Sequence, residues 1–405
     1  MVEHDSGTLR TVAWAEVFPW LGLTRAFRIA IAVRMLLFGA VALLITLLGW
    51  GALGVLFGTD QPATDWLQPF TVCPWRAATA GVPDLDQLAA MPTDRACLPG
   101  APCCNLLAPA APWTLLSSPA LEGLKRTGFS WHGVLSILLS GLWGVMVWAF
   151  FGAAMCRTAA VQLAAHEQLG VMASLRFAAK KWPAYCAAPL LPVGGILLAA
   201  VPVAILGFLT KANVGLLLAG LLWPLALVAG LFMTMLLAGL LFGWPLMWSA
   251  ISVEGTDGFD ALSRSYAYLF QRPLNYLFYI VVAGVIGAIG WILVQYFAAG
   301  VIWMTAWAAG WGGAVVADPN TAGRLGLKLV HFWTGCVKLL AVGYLFSYFW
   351  TASVGIYFLL RRDVDAVEMD EVELDADQDE PEFELPKVAT DSQGAPETED
   401  DEPQA

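Results

Sequence analysis

Residues 214–251 contain no charged side chain, and this uninterrupted apolar run constrains the fold more than any other feature of the chain. A backbone in lipid must satisfy its own hydrogen bonds, and a helix of about 20 apolar residues crosses a hydrocarbon core about 30 Å thick. Similar runs recur along the sequence, in which 59% of the residues are hydrophobic and 13% are charged. The sequence therefore predicts an all-α fold, a polytopic transmembrane helix bundle.

The apolar runs predict about six spans. These are residues 35–57, 131–156, 186–210, 214–251, 274–298 and 338–360. The fourth run is longer than one span needs and has no polar turn inside it, so we interpret it as one kinked span with a lead-in up to Trp223 and Pro224. A broken helix is the alternative. Many of the 19 Trp residues lie near the ends of the runs, as in an interfacial aromatic belt.

Amphipathic segments precede the first, third and fifth spans, and we interpret them as surface helices. The segments are residues 1–34, 157–185 and 252–273, and the helices within them are predicted at residues 13–33, 171–182 and 258–272. In the last of these, Asp257 is placed to cap a helix, Asp260 lies in its first turn, and Arg264 follows Asp260 by four residues. Arg272 ends the helix before Pro273. Capping, the helix dipole and headgroup contacts account for these polar residues, so the segment predicts an interfacial helix and not a catalytic site.

The same helix is predicted to carry one apolar stripe, because its large apolar residues recur at three- and four-residue spacing. They are Phe259, Leu262, Tyr266, Leu269 and Phe270. A surface helix before each alternate span indicates three helix–span–span units. The alternative is that surface helices before spans are simply common.

Residues 58–130 form the longest polar interval, with ten Pro residues and four of the seven Cys residues. This interval is predicted to be an extracytoplasmic loop closed by disulfides. The candidate cysteines are Cys73, Cys97, Cys103 and Cys104. Free thiols and a metal site are the alternatives, and the pairing stays open. Residues 299–337 are predicted to be a second extracytoplasmic segment.

The distribution of Lys and Arg predicts the orientation of the chain. One side carries twelve of these residues before the tail, and the short segments of the other side carry four. Because short cytoplasmic segments are enriched in positive charge, both termini are expected in the cytoplasm and the protein in the cell (inner) membrane.

The C-terminal tail, residues 361–405, differs from the rest of the chain in composition. From residue 363 onward it holds 18 acidic residues and one Lys, so it carries −17 while the rest of the chain carries +6. Such a segment buries too little apolar surface to order itself, which predicts a disordered acidic cytoplasmic tail. It is either a binding segment for a protein partner or a solubilising extension.

The run from Asp260 to Tyr276, which leads into a span, carries a family resemblance. It resembles the entry helices of uncharacterised six-span bacterial membrane families, and it is similar to the membrane domain attached to some glycerophosphodiester phosphodiesterases. The resemblance covers about residues 157–360. The catalytic domain of that enzyme class has no counterpart in this sequence, so the resemblance implies a membrane fold and no reaction.

No motif of the sequence indicates an enzyme. His166 and Glu167 begin a zinc-protease motif that lacks its second His, and neither a phosphate-binding loop nor a nucleophile elbow is present. No cofactor, metal or nucleic acid is therefore expected, and membrane lipids are the expected partners. The leading hypothesis is a non-enzymatic scaffold that organises lipids or partners. The alternative is a transporter or channel subunit with a site among the proline-bearing third and fourth spans and the fifth span.

Overall fold

The computed structural model describes residues 18–57, 108–125, 131–211, 213–312, 321–367 and 372. Over these residues the chain is helical and has no strand. The α-helices are α1 (Leu23–Ala30), α2 (Val33–Phe57), α3 (Ala111–Lys125), α4 (Trp131–Ala164), α5 (Val171–Leu209), α6 (Asn213–Glu254), α7 (Gly258–Gln271), α8 (Pro273–Gly310) and α9 (Thr321–Asp365). Six of them, α2, α4, α5, α6, α8 and α9, are long and apolar enough to cross a membrane. The all-α membrane bundle is confirmed.

Several helices continue past the predicted ends of their spans. Helix α4 runs through Arg157 to Ala164, and α5 joins the surface helix predicted at residues 171–182 to the third span without a break at Pro183. Helix α4 continues because Ala159, Ala160 and Ala164 are strong helix formers and are buried in the bundle. In the first part of α5, Arg176, Lys180 and Lys181 are good helix formers, and Phe177 and Ala178 are buried. The second predicted surface helix is therefore the first part of α5 and not a separate element.

The fourth span is a single helix, α6, of 42 residues, which corresponds to about 63 Å of helix. Its two prolines, Pro224 and Pro245, lie inside the helix and do not end it. Most of residues 299–337 also belong to helices, because α8 extends to Gly310 and α9 begins at Thr321. The predicted extracytoplasmic segment is thus largely the continuation of the fifth and sixth spans.

Part of the predicted outer loop packs into the bundle. Residues 108–110 form a 3-10 helix that leads into α3, a helix of 15 residues that is too short to cross a bilayer. Leu115 is fully buried, and the Trp113 indole donates a hydrogen bond to the Leu241 carbonyl of α6 at 2.7 Å. The four candidate disulfide cysteines lie outside the described residues, and their pairing stays a prediction. The described cysteines, Cys156, Cys186 and Cys336, are free thiols.

Tryptophans form the centre of the core where α4, α6 and α9 meet. The rings of Trp248 and Trp350 stack with centroids 4.7 Å apart, and Trp244 and Trp148 pack on Trp350 at 5.3 and 6.4 Å. Trp148, Trp248 and Trp350 are fully buried. The interpretation of the tryptophans as an interfacial belt is therefore wrong for these residues, because a ring stacked on another helix is unavailable to headgroups.

Helices α1 and α2 pack along α9. An added Cβ on Gly39 of α2 would lie 2.5 Å from the Gly343 carbonyl oxygen, so the two backbones are in direct contact at this crossing. Small residues permit such close approach between membrane helices. The Ser347 hydroxyl donates to the Ala30 carbonyl at 2.8 Å, and Leu23 is buried. The first predicted surface helix is thus attached to the bundle by one face.

Candidate functional site

A cluster of charged and phenolic side chains lies where α6, α7 and α9 converge, and we call Glu254, Arg264, Tyr357 and Arg361 the polar cluster. Glu254 is at its centre. Its carboxylate lies 2.5 Å from Arg264 Nη1 and 3.2 Å from Arg361 Nε, and it accepts a hydrogen bond from the Tyr357 hydroxyl at 2.7 Å. The Glu254 side chain is only 9% exposed. One carboxylate thus ties three helices together.

The local predictions for α7 agree with the structure. The Asp257 side chain accepts a hydrogen bond from the Asp260 amide at 2.9 Å, and Arg264 Nε lies 3.1 Å from Asp260 Oδ2. Arg272 is the C-terminal cap, and Pro273 begins α8. Arg264 differs from the prediction in one respect: its main partner besides Asp260 is Glu254, not a lipid headgroup.

The predicted apolar stripe of α7 coincides only in part with its buried face. Leu269 of the stripe is buried together with Ala261, Ser265 and Tyr268, and Leu262 and Tyr266 pack against the core, whereas Phe259 and Phe270 are exposed. Small residues face the protein because α7 lies close to its neighbours; an added Cβ on Gly258 would be 2.8 Å from the Ala184 carbonyl oxygen. Helix α7 therefore has one face for the protein and an outer face with exposed aromatics.

The first acidic residues of the predicted tail belong to the folded bundle. Tyr268 donates a short hydrogen bond to Asp365, and Asp363 Oδ2 accepts hydrogen bonds from Tyr279 at 2.7 Å and Asn275 at 3.1 Å. Helix α9 ends only at Asp365. The boundary predicted at residue 361 is thus too early. Most of the remaining tail, with its predicted disorder, lies outside the described residues.

The electrostatics of α7 follow from these contacts. Burial raises the pKa of Tyr268 above its usual range, and the hydrogen bond to Asp365 raises it further. Burial lowers the pKa of Arg264, but attraction to Glu254 and Asp260 outweighs it, so this pKa lies above its usual range. Tyr268 therefore stays protonated as a donor, and Arg264 stays charged.

Sequence reasoning missed Glu254. A signal was available, since Glu254 is the first charged residue after the apolar run of residues 214–251 and Arg361 is the first after the last span. Each ends an apolar run, but nothing in the sequence shows that the two runs end beside each other.

Arg157 was expected to end the second span. It is 4% exposed, donates to the Ser252 carbonyl at 2.9 Å and lies over the Phe177 ring at 4.3 Å.

Arg34 also has a protein partner. A cation at the start of a span commonly extends to the lipid headgroups, but Arg34 donates to the Leu169 carbonyl between α4 and α5. Two cations at the ends of spans are thus used to hold neighbouring backbone segments.

An apolar cavity of about 540 Å³ lies beside the polar cluster. This volume is within the range of about 300–1,000 Å³ that is usual for small-molecule sites. Its walls come from α6, α7, α8, α9 and the start of α3. The lining residues are Pro109, Ala110, Trp113, Phe242, Pro245, Leu246, Leu269, Pro273, Tyr276, Leu277, Ile280, Ala283, Gly284, Tyr348, Phe349, Ala352, Ser353 and Ile356. Leu269 and Ile356 line the cavity and are sequence neighbours of Tyr268 and Tyr357, so the cavity wall and the polar contacts share the same turns of α7 and α9.

The polar groups in the cavity wall are already paired. The hydroxyls of Tyr276, Tyr348 and Ser353 donate to backbone carbonyls at 2.5, 2.7 and 2.7 Å. Since these donors are occupied, the surface offered to a ligand is hydrocarbon. The cavity suits an apolar ligand that has no need of hydrogen bonds.

The cavity opens onto an apolar surface. Phe242, Leu277 and Ile280 both line it and are exposed, and we call these three residues the mouth. Leu274 and Val281, which flank the mouth on α8, are exposed as well. An apolar opening framed by exposed apolar side chains faces lipid when the bundle is in a membrane.

The cavity includes only part of the predicted transport site. Pro245 of the fourth span and several residues of the fifth span line it, whereas Pro189, Pro192 and Pro202 of the third span lie inside α5 and do not contribute. Among the described residues, no group of three His, Cys, Asp or Glu side chains is placed to hold a metal ion.

Comparison of the chain with protein-family models, with curated proteins and with solved structures finds no match. The resemblance described from residues 260–276 therefore stays an expectation.

Proposed function

We propose that this integral membrane protein binds the acyl chain of a membrane lipid in its apolar cavity, and that it organises lipid without catalysing a reaction. The observation that carries this proposal is the cavity itself, with its apolar walls and its mouth on the apolar surface of the bundle. A non-catalytic role is favoured because the hydroxyls in the wall are committed to backbone carbonyls and leave no free reactive group there.

The depth of the cavity supports an acyl chain as the ligand. On α8 the lining extends from Pro273 to Gly284, which corresponds to about 16 Å of helix. One leaflet contributes about half of the hydrocarbon thickness of about 30 Å, so the cavity is long enough for the chain of one lipid. The ligand enters sideways through the mouth, without passing through water.

A filled-cavity variant tests the proposal. An added Cβ on Gly284 meets no atom within 4 Å, so Gly284→Trp places its indole in the cavity without a backbone clash. The matched control is Gly300→Trp, because Gly300 lies on the same helix, also has no atom within 4 Å of an added Cβ, and does not line the cavity.

The measurement is photocrosslinking in proteoliposomes with a phospholipid that carries a diazirine in its acyl chain. We expect labelled peptides from α6 and α8, several-fold less label in Gly284→Trp, and unchanged label in Gly300→Trp. Equal labelling of the two variants, or label confined to other helices, would refute the site. Transport of the lipid is a separate function, and it would require that the labelled lipid reach the opposite leaflet.

We further propose that the protein lies in the cell (inner) membrane with both termini in the cytoplasm and the cysteine-bearing loop outside. The support is the excess of Lys and Arg on one side of the spans, twelve against four. The disulfides of that loop, and a protein partner for the acidic tail, belong to the same proposal.

A further inference from the structure

The structure points to the headgroup of the ligand: we propose that the cavity prefers a net-anionic phospholipid whose phosphate is bound by Arg272. This inference rests on the proposed function, because it assigns the polar end of a lipid whose acyl chain occupies the cavity. The residue was predicted as the end of an interfacial helix, and its position beside the cavity gives it a further role.

Arg272 is adjacent to the cavity and held in place by its backbone. It joins α7 to α8 and directly precedes Pro273, which lines the cavity. Its amide donates to the Tyr268 carbonyl at 3.1 Å, and its carbonyl accepts from the Tyr276 amide at 3.0 Å. The base of the side chain is therefore fixed at the end of the cavity nearest the polar cluster.

The surroundings of Arg272 place it at the level of lipid headgroups. Phe270 and Leu274, two residues away on each side, are exposed apolar side chains, and Arg272 is exposed between them. A cation flanked by exposed apolar residues extends to the headgroups while its neighbours insert among the acyl chains. A lipid in the cavity would have its phosphate in this region.

Arg272 also differs from Arg264, Arg361 and Arg157 in its contacts. Arg264 and Arg361 are paired with Glu254, and Arg157 is directed to the Ser252 carbonyl. Within the part of the chain that the structure describes, the Arg272 guanidinium has no acidic or carbonyl partner. A guanidinium matches the geometry of a phosphate and binds it with two parallel hydrogen bonds.

The test compares two diazirine phospholipids with the same acyl chain, one with a phosphatidylglycerol headgroup and one with phosphatidylcholine. One interfacial cation changes the affinity for an anionic lipid about fivefold, so the wild type should be labelled about five times more by the glycerol lipid. Arg272→Gln should reduce this ratio to near one without abolishing choline-lipid labelling, and Arg272→Lys should keep part of the preference. Arg28→Gln, at an exposed position on α1, is the matched control and should leave the ratio unchanged.

The outcomes separate the two proposals. The headgroup inference is overturned if the labelling ratio is near one in the wild type, or if the ratio falls equally in Arg28→Gln and Arg272→Gln. The acyl-chain site still stands in that case, provided that Gly284→Trp loses label with both lipids. Label that Gly284→Trp does not reduce overturns the acyl-chain site itself, whatever the headgroup ratio. Thermal unfolding followed by tryptophan fluorescence confirms that each variant is folded.

Discussion

Replacement of Glu254 by Gln removes the charge at the centre of the polar cluster and nearly preserves the shape of the side chain. The amide oxygen still accepts the hydrogen bond from Tyr357. Arg264 and Arg361, however, both lose the carboxylate that lies 2.5 and 3.2 Å from them. The variant therefore isolates the charge of Glu254 from its packing.

The magnitude follows from how far each pair is from water. The side chains of Glu254 and Arg361 are 9% and 13% exposed, and removing one partner of a buried ion pair costs about 3–5 kcal/mol. Arg264 is 40% exposed, and a solvent-screened pair of that kind contributes only about 0–1 kcal/mol. Neither ion pair is fully removed from water. We therefore expect Glu254→Gln to lower the free energy of unfolding by about 3 kcal/mol, which is about a hundredfold in the folded-to-unfolded ratio.

The assay is reversible unfolding in mixed micelles with increasing sodium dodecyl sulfate, followed by tryptophan fluorescence, because Trp248 and Trp350 stack close to the cluster. Glu167→Gln is the control, since Glu167 is exposed between α4 and α5. If the two variants differ by less than about 0.5 kcal/mol, which is the usual range for surface substitutions, the cluster does not stabilise the bundle and the reasoning is refuted. Replacing Glu254 and Arg361 together by Met should recover much of the loss, because no unpaired buried charge then remains.

Two other predictions concern helix contact and topology. Gly39→Leu should destabilise the bundle by more than about 2 kcal/mol in the same unfolding assay, since its Cβ meets the Gly343 carbonyl oxygen at 2.5 Å, whereas Gly194→Leu, with no atom within 4 Å of an added Cβ, should be nearly neutral. In intact cells, a membrane-impermeant maleimide should label the loop only after treatment with an impermeant reductant, and the labelled residues should be Cys73, Cys97, Cys103 and Cys104. Labelling without the reductant would contradict the disulfides, and labelling only after permeabilisation would contradict the orientation.

The polar contacts of α7 separate into those that a local pattern predicts and those that it does not. The cap at Asp257 and the pair of Asp260 with Arg264 join residues three and four apart, so helical geometry alone brings them together. The contact of Glu254 with Arg361 joins residues that are distant in the sequence. Two charged ends of apolar runs do not reveal which helices pack together.

The buried faces of the spans could not be predicted from the sequence either. In a soluble helix, the alternation of polar and apolar residues marks the face that packs against the core. Helices in lipid are apolar on every side, so Leu277 at the mouth and Trp350 in the core both lie in long apolar runs of the sequence but have different environments in the structure. The cavity, which depends on where helix faces fail to meet, is therefore invisible in the sequence.

The sequence by itself determined the class of the protein, the positions of its six apolar helices and the local caps of α7. Each of these depends only on the length of an apolar run or on residues within one turn, because a backbone in lipid must close its own hydrogen bonds. Only the tertiary structure decided the partners of Glu254, the burial of the tryptophans, the packing of α3 into the bundle and the cavity beside Arg272. These features arise from contacts between segments that are distant in the sequence. Apolar helix surfaces can pack together in many arrangements, and the detailed packing of side chains selects one of them.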